Sequence, residues 1–530
     1  MGDRLDSWKD IAAYLSREVR TVQRWSSSRR LPIHRLPGGE KPRVFALKSE
    51  IDGWLQVGQR EVAAQIPSVA VLPFANLGGK ENDYFGEGLA DDIINALTRI
   101  RGLHVTARTS SFAFRGKEGD VREIGTRLGA ATLLEGSIRR EGDRVRVSAQ
   151  LVSATDGYHL WSESYDRLLA DIFAIQDEIA QAIALALKVR LAPEPIARRP
   201  TENLEAYDQW LRGRCIGGRY TPEAFAKARE CYAAAIALDP NFALPYADTA
   251  ESTFHAATFG MTASPEAARQ ARDSVLKALE LNNSLGDGHA LLGMVRGVLE
   301  YDWPSAECCF QRALELSPGS AAVLMRHAWY FLVPQMRLAQ ALEEARQAAA
   351  LDTLSPLMHS KLGLVLMVAR DYRRAEEECR IAVELAPGLW FPHWFLGSAL
   401  LLQGKLSKGF VHCRQVYERF PREPLVIGGM CAVYGLFSRR KRARELLSEL
   451  LDFARKAYVP PLAFAWAYLG LADDRVFEWL GRAIEARDPA VTHMPSMPIY
   501  DGIRQDSRFR ALLAKMRLVQ REESMPAAPM

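Results

Sequence analysis

Residues Val19 to Trp25 read VRTVQRW, and the polar side chains of this heptad carry a specific set of hydrogen-bonding groups. An arginine can meet guanine O6 and N7 together or grip a phosphate. Glutamine matches adenine N6 and N7, and threonine serves a phosphate or a thymine methyl group. Arg17, Arg20 and Arg24 recur at helical spacing, with Thr21, Gln23 and Ser28 beside them. Val19, Val22 and Trp25 fall on the other side at intervals of three, the pattern of an amphipathic helix. A basic helix with a solvated face shows the same pattern, so the heptad alone does not choose between reading DNA and lying on a surface.

The neighbouring elements bear on that choice. The stretch DSWKDIAAYLS places Trp8, Ile11, Ala12 and Leu15 on one side of a first helix, and a short break separates it from the heptad. Two short helices joined in this way are what a helix-turn-helix requires. Next, LPIHRLPGGEKPRVFALKSEIDGWL reads as strand, turn at residues 37–42, strand from Arg43 to Leu47, and a helix capped by Ser49. Ile51, Trp54 and Leu55 return that last helix to the core, while Lys41, Arg43 and Lys48 flank the hairpin. The charge is local: residues 16–48 hold nine Lys/Arg against two Asp/Glu, a balance of +7 in a chain whose total is +4. A concentrated basic patch is the footprint of a phosphate-binding surface.

This segment, residues 6–56, resembles the winged helix-turn-helix of the MerR and excisionase class. The resemblance rests on Ile11, Ala12, Leu15, Thr21, Val22, Arg24, Trp25, Leu31, Pro32, Phe45, Trp54 and Leu55, and departs from the class at Glu18 and Arg30. It implies double-stranded DNA as a partner. Arg20, Gln23 and Arg24 would enter the major groove; Arg17, Thr21, Lys41 and Arg43 would hold phosphates, with His34 and Arg35 at the base of the wing. The other reading of the same residues is a domain that docks protein rather than DNA.

A repeat dominates the C-terminal half. Ala235, Ala278, Ala313, Ala348, Ala382, Val416, Leu450 and Ala483 form one column, and seven residues earlier stand Ala228, Ala271, Ala306, Ala341, Ala375, Gly409, Ala443 and Val476. Positions i and i+7 share a helix face, and small residues there admit a close neighbour. Pro240, Pro318, Pro387 and Pro421 follow as helix stops. With Gly363 and Gly397 in matching places of the other helix, residues 204–490 resemble a tetratricopeptide repeat array. The resemblance implies antiparallel helix pairs of about 34 residues and a groove for a protein or peptide. Cys379 and Cys413 fall in a packing column, so reduced, buried thiols are expected.

Between these regions, residues 67–191 alternate strand and helix signals. SVAVLPF reads as a buried strand, GLADDIINALTRI as a helix, LHVTARTS as a strand and VREIGTRLG as a short helix ending at Gly129. TLLEGSIRREGDRVRVSAQLV reads as a hairpin, and DIFAIQDEIAQAIALALKVRL as a closing helix. The segment resembles the TolB-like amino-terminal (FlgO-like) module. That module commonly precedes tetratricopeptide arrays in bacterial signalling proteins, and the resemblance brings no catalytic residues with it. Asp91 and Asp92 read as first-turn carboxylates favoured by the helix dipole. In FAFRGK, packed aromatics with a solvated Arg115 and Lys117 are expected.

The expected architecture is therefore multidomain: a small winged helix-turn-helix (1–60), a central α/β domain (67–191) and an all-α tetratricopeptide solenoid with a C-terminal cap (201–520). No apolar run approaches the ~20 residues that span a bilayer, the amino terminus has no apolar signal core, and the seven cysteines show no C-x-x-C pair. These features point to a cytoplasmic chain with no metal and no cofactor. No histidine stands at triad spacing from a serine or cysteine, so an enzymatic role has no support in the sequence. The expectation is a bacterial DNA-binding transcriptional regulator whose array binds a protein or peptide. A single reader domain covers a short site, which invites a homodimer. The competing expectation is a scaffold with a docking domain in front.

Overall fold

The structure is a computed structural model, and it describes residues 4–5, 7–14, 22, 33–36, 43–48, 50–51, 67–78, 83–98, 100, 102–115, 119–142, 144–168, 171–187, 200–218, 221–260, 264–420 and 423–518. The chain divides into two compact units, residues 1–67 and 68–530.

In the first unit, strands β1 (Arg4–Leu5), β2 (His34–Leu36) and β3 (Arg43–Leu47) form an antiparallel sheet in the order β1-β3-β2. Helix α1 (Trp8–Tyr14) starts at Ser7, whose hydroxyl accepts the Asp10 amide and donates to the Asp10 carboxylate. This is a helix start that a serine followed by an acid three residues later favours. The helix packs on β3. Ile11, Ala12, Val22, Ala46 and Ile51 form the core, with Leu5, Trp8 and Ile33 at its margin. The hairpin β2–β3 and the first helix lie where the sequence puts them. Strand β1 falls in a segment that reads as a polar terminus: two residues are too few to show alternation, and β3 supplies their partners.

The second unit opens with a six-stranded sheet of β4 (Ser68–Val71), β5 (Ala75–Asn76), β6 (His104–Val105), β7 (Thr132–Glu141), β8 (Arg144–Ser153) and β9 (His159–Leu168). Its order is β6-β4-β7-β8-β9, with β5 also on β7. The first three of these are parallel neighbours and the rest an antiparallel meander. Helices α2 (Asp83–Leu97) and α5 (Ile172–Ala186) cover one face through Ile93, Leu97, Ile175, Ile179 and Ile183. Helix α4 (Val121–Leu128) covers the other with Ile124 and Leu128 against Ala70, Leu72 and Leu133. Both faces of β4 are thus buried, which is why SVAVL is continuously apolar. On β8, buried Val145, Val147, Ala149 and Leu151 alternate with exposed or half-exposed neighbours, as one-sided burial requires. Asp120 caps α4 by accepting the Arg122 amide, and Gly129 ends it at φ +63°. The sequence LHVTARTS yields only a two-residue strand before turning into helix α3 (Arg108–Phe112).

Eight antiparallel helix pairs follow among the described residues, from Leu204–Gly217 with Pro222–Leu238 to Pro461–Gly470 with Arg475–Glu485. Every alanine of the two columns from Ala228 to Ala382 is fully buried. Gly363 and Gly397 are the complements of Cys379 and Cys413: a Cβ on either glycine would lie 2.6 Å from the facing sulfur. In the third and fourth pairs the first helix ends in a π-helical turn, Val295–Leu299 and Ala328–Leu332. The first helix of the fifth pair is almost wholly apolar after Lys361. Leu362 to Val368 are consecutively buried, because helices Leu338–Leu351, Tyr372–Leu385 and Trp390–Leu402 pack around them. The Tyr301 hydroxyl donates to the Ile484 carbonyl (3.1 Å), and Trp303 Nε1 to that of Met516 (2.8 Å). His493, in the 3-10 turn Pro489–His493, stacks on Trp329 at 4.1 Å and donates from Nε2 to its carbonyl at 2.9 Å.

The α/β layer and the array share one core. Ala206, Tyr207, Trp210, Leu211, Tyr232 and Phe242 of the first helices pack in the same apolar cluster as Val69, Ile93 and Ile179. The two segments expected as separate domains are accordingly one compact unit.

Candidate functional site

Of the nine residues expected to meet DNA, Arg17, Arg20, Thr21, Gln23, Arg24 and Lys41 lie outside the described residues. Arg35 and Arg43 are placed by their backbone, on β2 and β3, in a register that pairs Arg35 with Val44 and Leu36 with Arg43. His34 is exposed; its ring stacks on Phe45 at 4.8 Å, and Nε2 meets Glu50 at 2.6 Å. The Glu50 carboxylate therefore orients the ring. Lys48 lies 5.6 Å from the Tyr14 ring centre. The hairpin strands that would form a basic wing are thus held by a packed core, with Val44 and Ala46 buried beneath them.

A second concentration of charged groups lies between the α/β layer and the array. Asp91 is buried in mid-helix and pairs with Arg214 of the first array helix, with Arg108 3.6 Å away. Asp92 accepts hydrogen bonds from the Tyr207 hydroxyl and from Gln176 Nε2 (2.9 Å). These carboxylates are not the dipole-favoured first-turn residues that their sequence position suggests, since α2 begins eight residues before Asp91. They fasten the layer to the array. Burial and the neighbouring Asp91 push the Asp92 carboxyl up to about 7, against the hydrogen bonds from Tyr207 and Gln176. Asp248, which accepts from Trp210 Nε1 at 2.6 Å, is raised by burial to about 6.

Further along the same junction, Ser110 donates from its amide (3.0 Å) and hydroxyl (2.6 Å) to the buried Asp352 carboxylate. The Ala107 amide donates to the Leu351 carbonyl at 2.8 Å, and the Leu354 amide to Ser110 Oγ at 2.7 Å. Arg115 pairs with the buried Glu87 at 2.5 Å, so this cation of FAFRGK is not merely solvated.

These contacts border an open cavity of about 1050 Å³ between the layer and the inner helices. Most of its charged lining is internally matched. Arg214 serves Asp91 and approaches Asp248, and Arg326 binds both Glu251 and Asp287 at 2.5 Å. Burial alone would raise the Glu251 carboxyl, but Arg326 and His255 hold it well below the usual range. Lys361 differs. Its Nζ donates to the Tyr330 hydroxyl at 2.9 Å and lies 4.3 Å from the Tyr330 ring centre and 5.5 Å from that of Trp329. Burial, and then the nearby Arg326 charge, lower its ammonium to about 7. No local pattern marks this lysine, because its partners Tyr330, Trp329 and Arg326 lie more than thirty positions away.

Among the described residues, no group of three or more His, Cys, Asp or Glu is placed to hold a metal ion, and no helix is long and apolar enough to cross a membrane.

Residues 64–182 match the family described as HilA/YgeH-like transcriptional regulator, second domain. The chain is 38% identical over 235 residues to "Putative adenylate cyclase 3" of Rhizobium meliloti (strain 1021), a match covering 43% of this chain and 40% of that protein. It is 24% identical over 291 residues to the transcriptional regulator HilA of Salmonella typhimurium, covering 54% of this chain and 51% of HilA. The chain thus spans about half or less of these relatives' lengths. Among solved structures, human IFIT1 in its dimer with PPP-AAAA is similar at 17% identity and a TM-score of 0.39 (60% of this chain, 79% of that one). Pseudomonas aeruginosa PilF is similar at 22% identity and a TM-score of 0.28 (40% and 95%).

Proposed function

We propose that this chain is a DNA-binding transcriptional regulator of the bacterial cytoplasm. Its first unit is a winged helix-turn-helix of the MerR and excisionase class, and its TolB-like layer and tetratricopeptide array form one receiving body. The observation that carries the reading is the match of residues 64–182 to the second domain of a transcriptional-regulator family, directly after a small unit with a basic hairpin. The relative named as a cyclase shares sequence with this chain as the HilA proteins do. Likeness to differently named proteins fits a receiver better than an output, and this reading assigns the output to the first unit.

In this reading Arg20, Gln23 and Arg24 contact bases, Arg17, Thr21, Lys41 and Arg43 hold phosphates, and His34 and Arg35 stand at the wing base. A two-fold operator would seat a homodimer, and a protein or peptide partner would engage the array. About six phosphate contacts give a slope of log K against log salt near −5. The test is a mobility-shift titration of the full chain on genomic DNA fragments, beside the Arg20→Ala/Arg24→Ala variant. Tight, salt-steep binding that the variant loses by tenfold or more is expected. Equal affinities for the two proteins would favour the docking scaffold instead.

A further inference from the structure

The cavity between the layer and the array poses a question that DNA recognition does not answer. Its volume, about 1050 Å³, is that of a site for a small organic molecule. The chain's own C-terminal turn at Pro489–His493 already covers the inner helices at Trp329, whose ring centre lies 5.5 Å from Lys361. The charges of its wall are selective. Arg214, Arg326 and Arg115 each hold a carboxylate of the chain itself. Lys361 lines the same space, and among the described residues no carboxylate lies within salt-bridge distance of it; its hydrogen bond goes to a neutral hydroxyl. An ammonium in such a place is costly unless an anion joins it. Met325, Leu357, Met358 and Leu389 also line the cavity, and thioether side chains adapt to varied apolar shapes. Asp248, Glu251 and Asp287 also line the space and would repel a polyanion, so a single negative charge is the match.

We propose that this cavity binds a small organic monocarboxylate, with its carboxylate on the Lys361 ammonium and the Tyr330 hydroxyl and its apolar body against Met325, Met358 and Leu389. The site is made by the layer and the array together, so an occupant ties the two. Because the anion requires the charged amine, binding takes up a proton and tightens as pH falls through about 7. The groups that face Lys361 are Arg326 and Tyr330 of the fourth pair, His493 of the C-terminal turn, and Glu251 and His255 across the cavity. His493 is held neutral, lowered by burial to about 3, and Glu251 stays ionised, so neither changes charge near pH 7.

The test uses the full chain and dansyl-undecanoate, an environment-sensitive fluorescent monocarboxylate, and needs no DNA, so its outcome is independent of DNA binding. We expect saturable binding of the acid, at least about tenfold weaker binding of its methyl ester, and about tenfold tightening between pH 8 and pH 6. Lys361→Met should lose both the preference for the acid and the pH dependence, whereas Lys361→Arg should keep the first and lose the second. Equal affinity for acid and ester, a flat pH profile in the unaltered chain, or tighter binding of ATP would each overturn the proposal. These three comparisons need no variant and stand if Lys361→Met fails to fold.

Discussion

Asp92 shows how a single half-buried group ties stability to pH. Its carboxyl titrates near 7 in the folded chain, against an ordinary value of 3.8. The folded state therefore binds the proton more tightly than the unfolded one. The cost of the ionised form is absent below about pH 4, develops between pH 4 and 7, and is complete above 7. Asp92→Asn removes that ionisation and keeps an acceptor for Tyr207 and Gln176. Melting measurements should show the variant more stable than the parent by about 1–3 kcal/mol at pH 8 and indistinguishable from it near pH 4. A constant difference across pH would mean that Asp92 is not the titrating group. At this scale the sequence was a partial guide. It singled out the Asp91–Asp92 pair, but one helix carries no record of Tyr207, Gln176 or Arg214, which approach it through tertiary packing.

At the scale of the element, the repeat is written in the chain twice, and only one copy was legible beforehand. The alanine columns announced the helix pairs because small residues at i and i+7 leave a periodic trace. The turns between the paired helices left none. Tyr301, Met336, Arg370, Gly404, Ser438 and Ala472 occupy the left-handed region at φ from +52° to +75°, at intervals of 34 or 35 residues. Only Gly404 is a glycine, and the other side chains are held there by the packing of the helices they join. Gly404→Ala should destabilise the chain by about 1 kcal/mol, and Ala472→Gly should stabilise it by up to about 1 kcal/mol. Paired denaturation curves would check both, and shifts of the same sign would contradict the account. The glycines facing cysteines make a separate case: the cost of Gly363→Ala should be relieved by Cys379→Ala, since the only tight contact is with that side chain.

The whole second unit depends on the join between layer and array, which the repeat periodicity alone divides at about residue 200. The division was natural, because repeat periodicity begins there. The shared cluster around Trp210 and the Ser110–Asp352 bonds involve residues far apart in the chain, and no local pattern records them. Asp352→Ala should cost about 1–3 kcal/mol, since it leaves the Ser110 donors buried without an acceptor. A cycle with Ser110→Ala should return a coupling of about 0.5–3 kcal/mol, whereas strict additivity would show that the join carries no stability.

The claim that this chain acts on DNA through its first unit is tested most directly by mapping genomic occupancy of the full-length protein in living cells. The parent should occupy discrete sites that share a short sequence, and Arg20→Ala/Arg24→Ala, expressed at the same level, should vacate them. Absence of discrete sites in the parent, or the same sites held by the variant, would contradict the account.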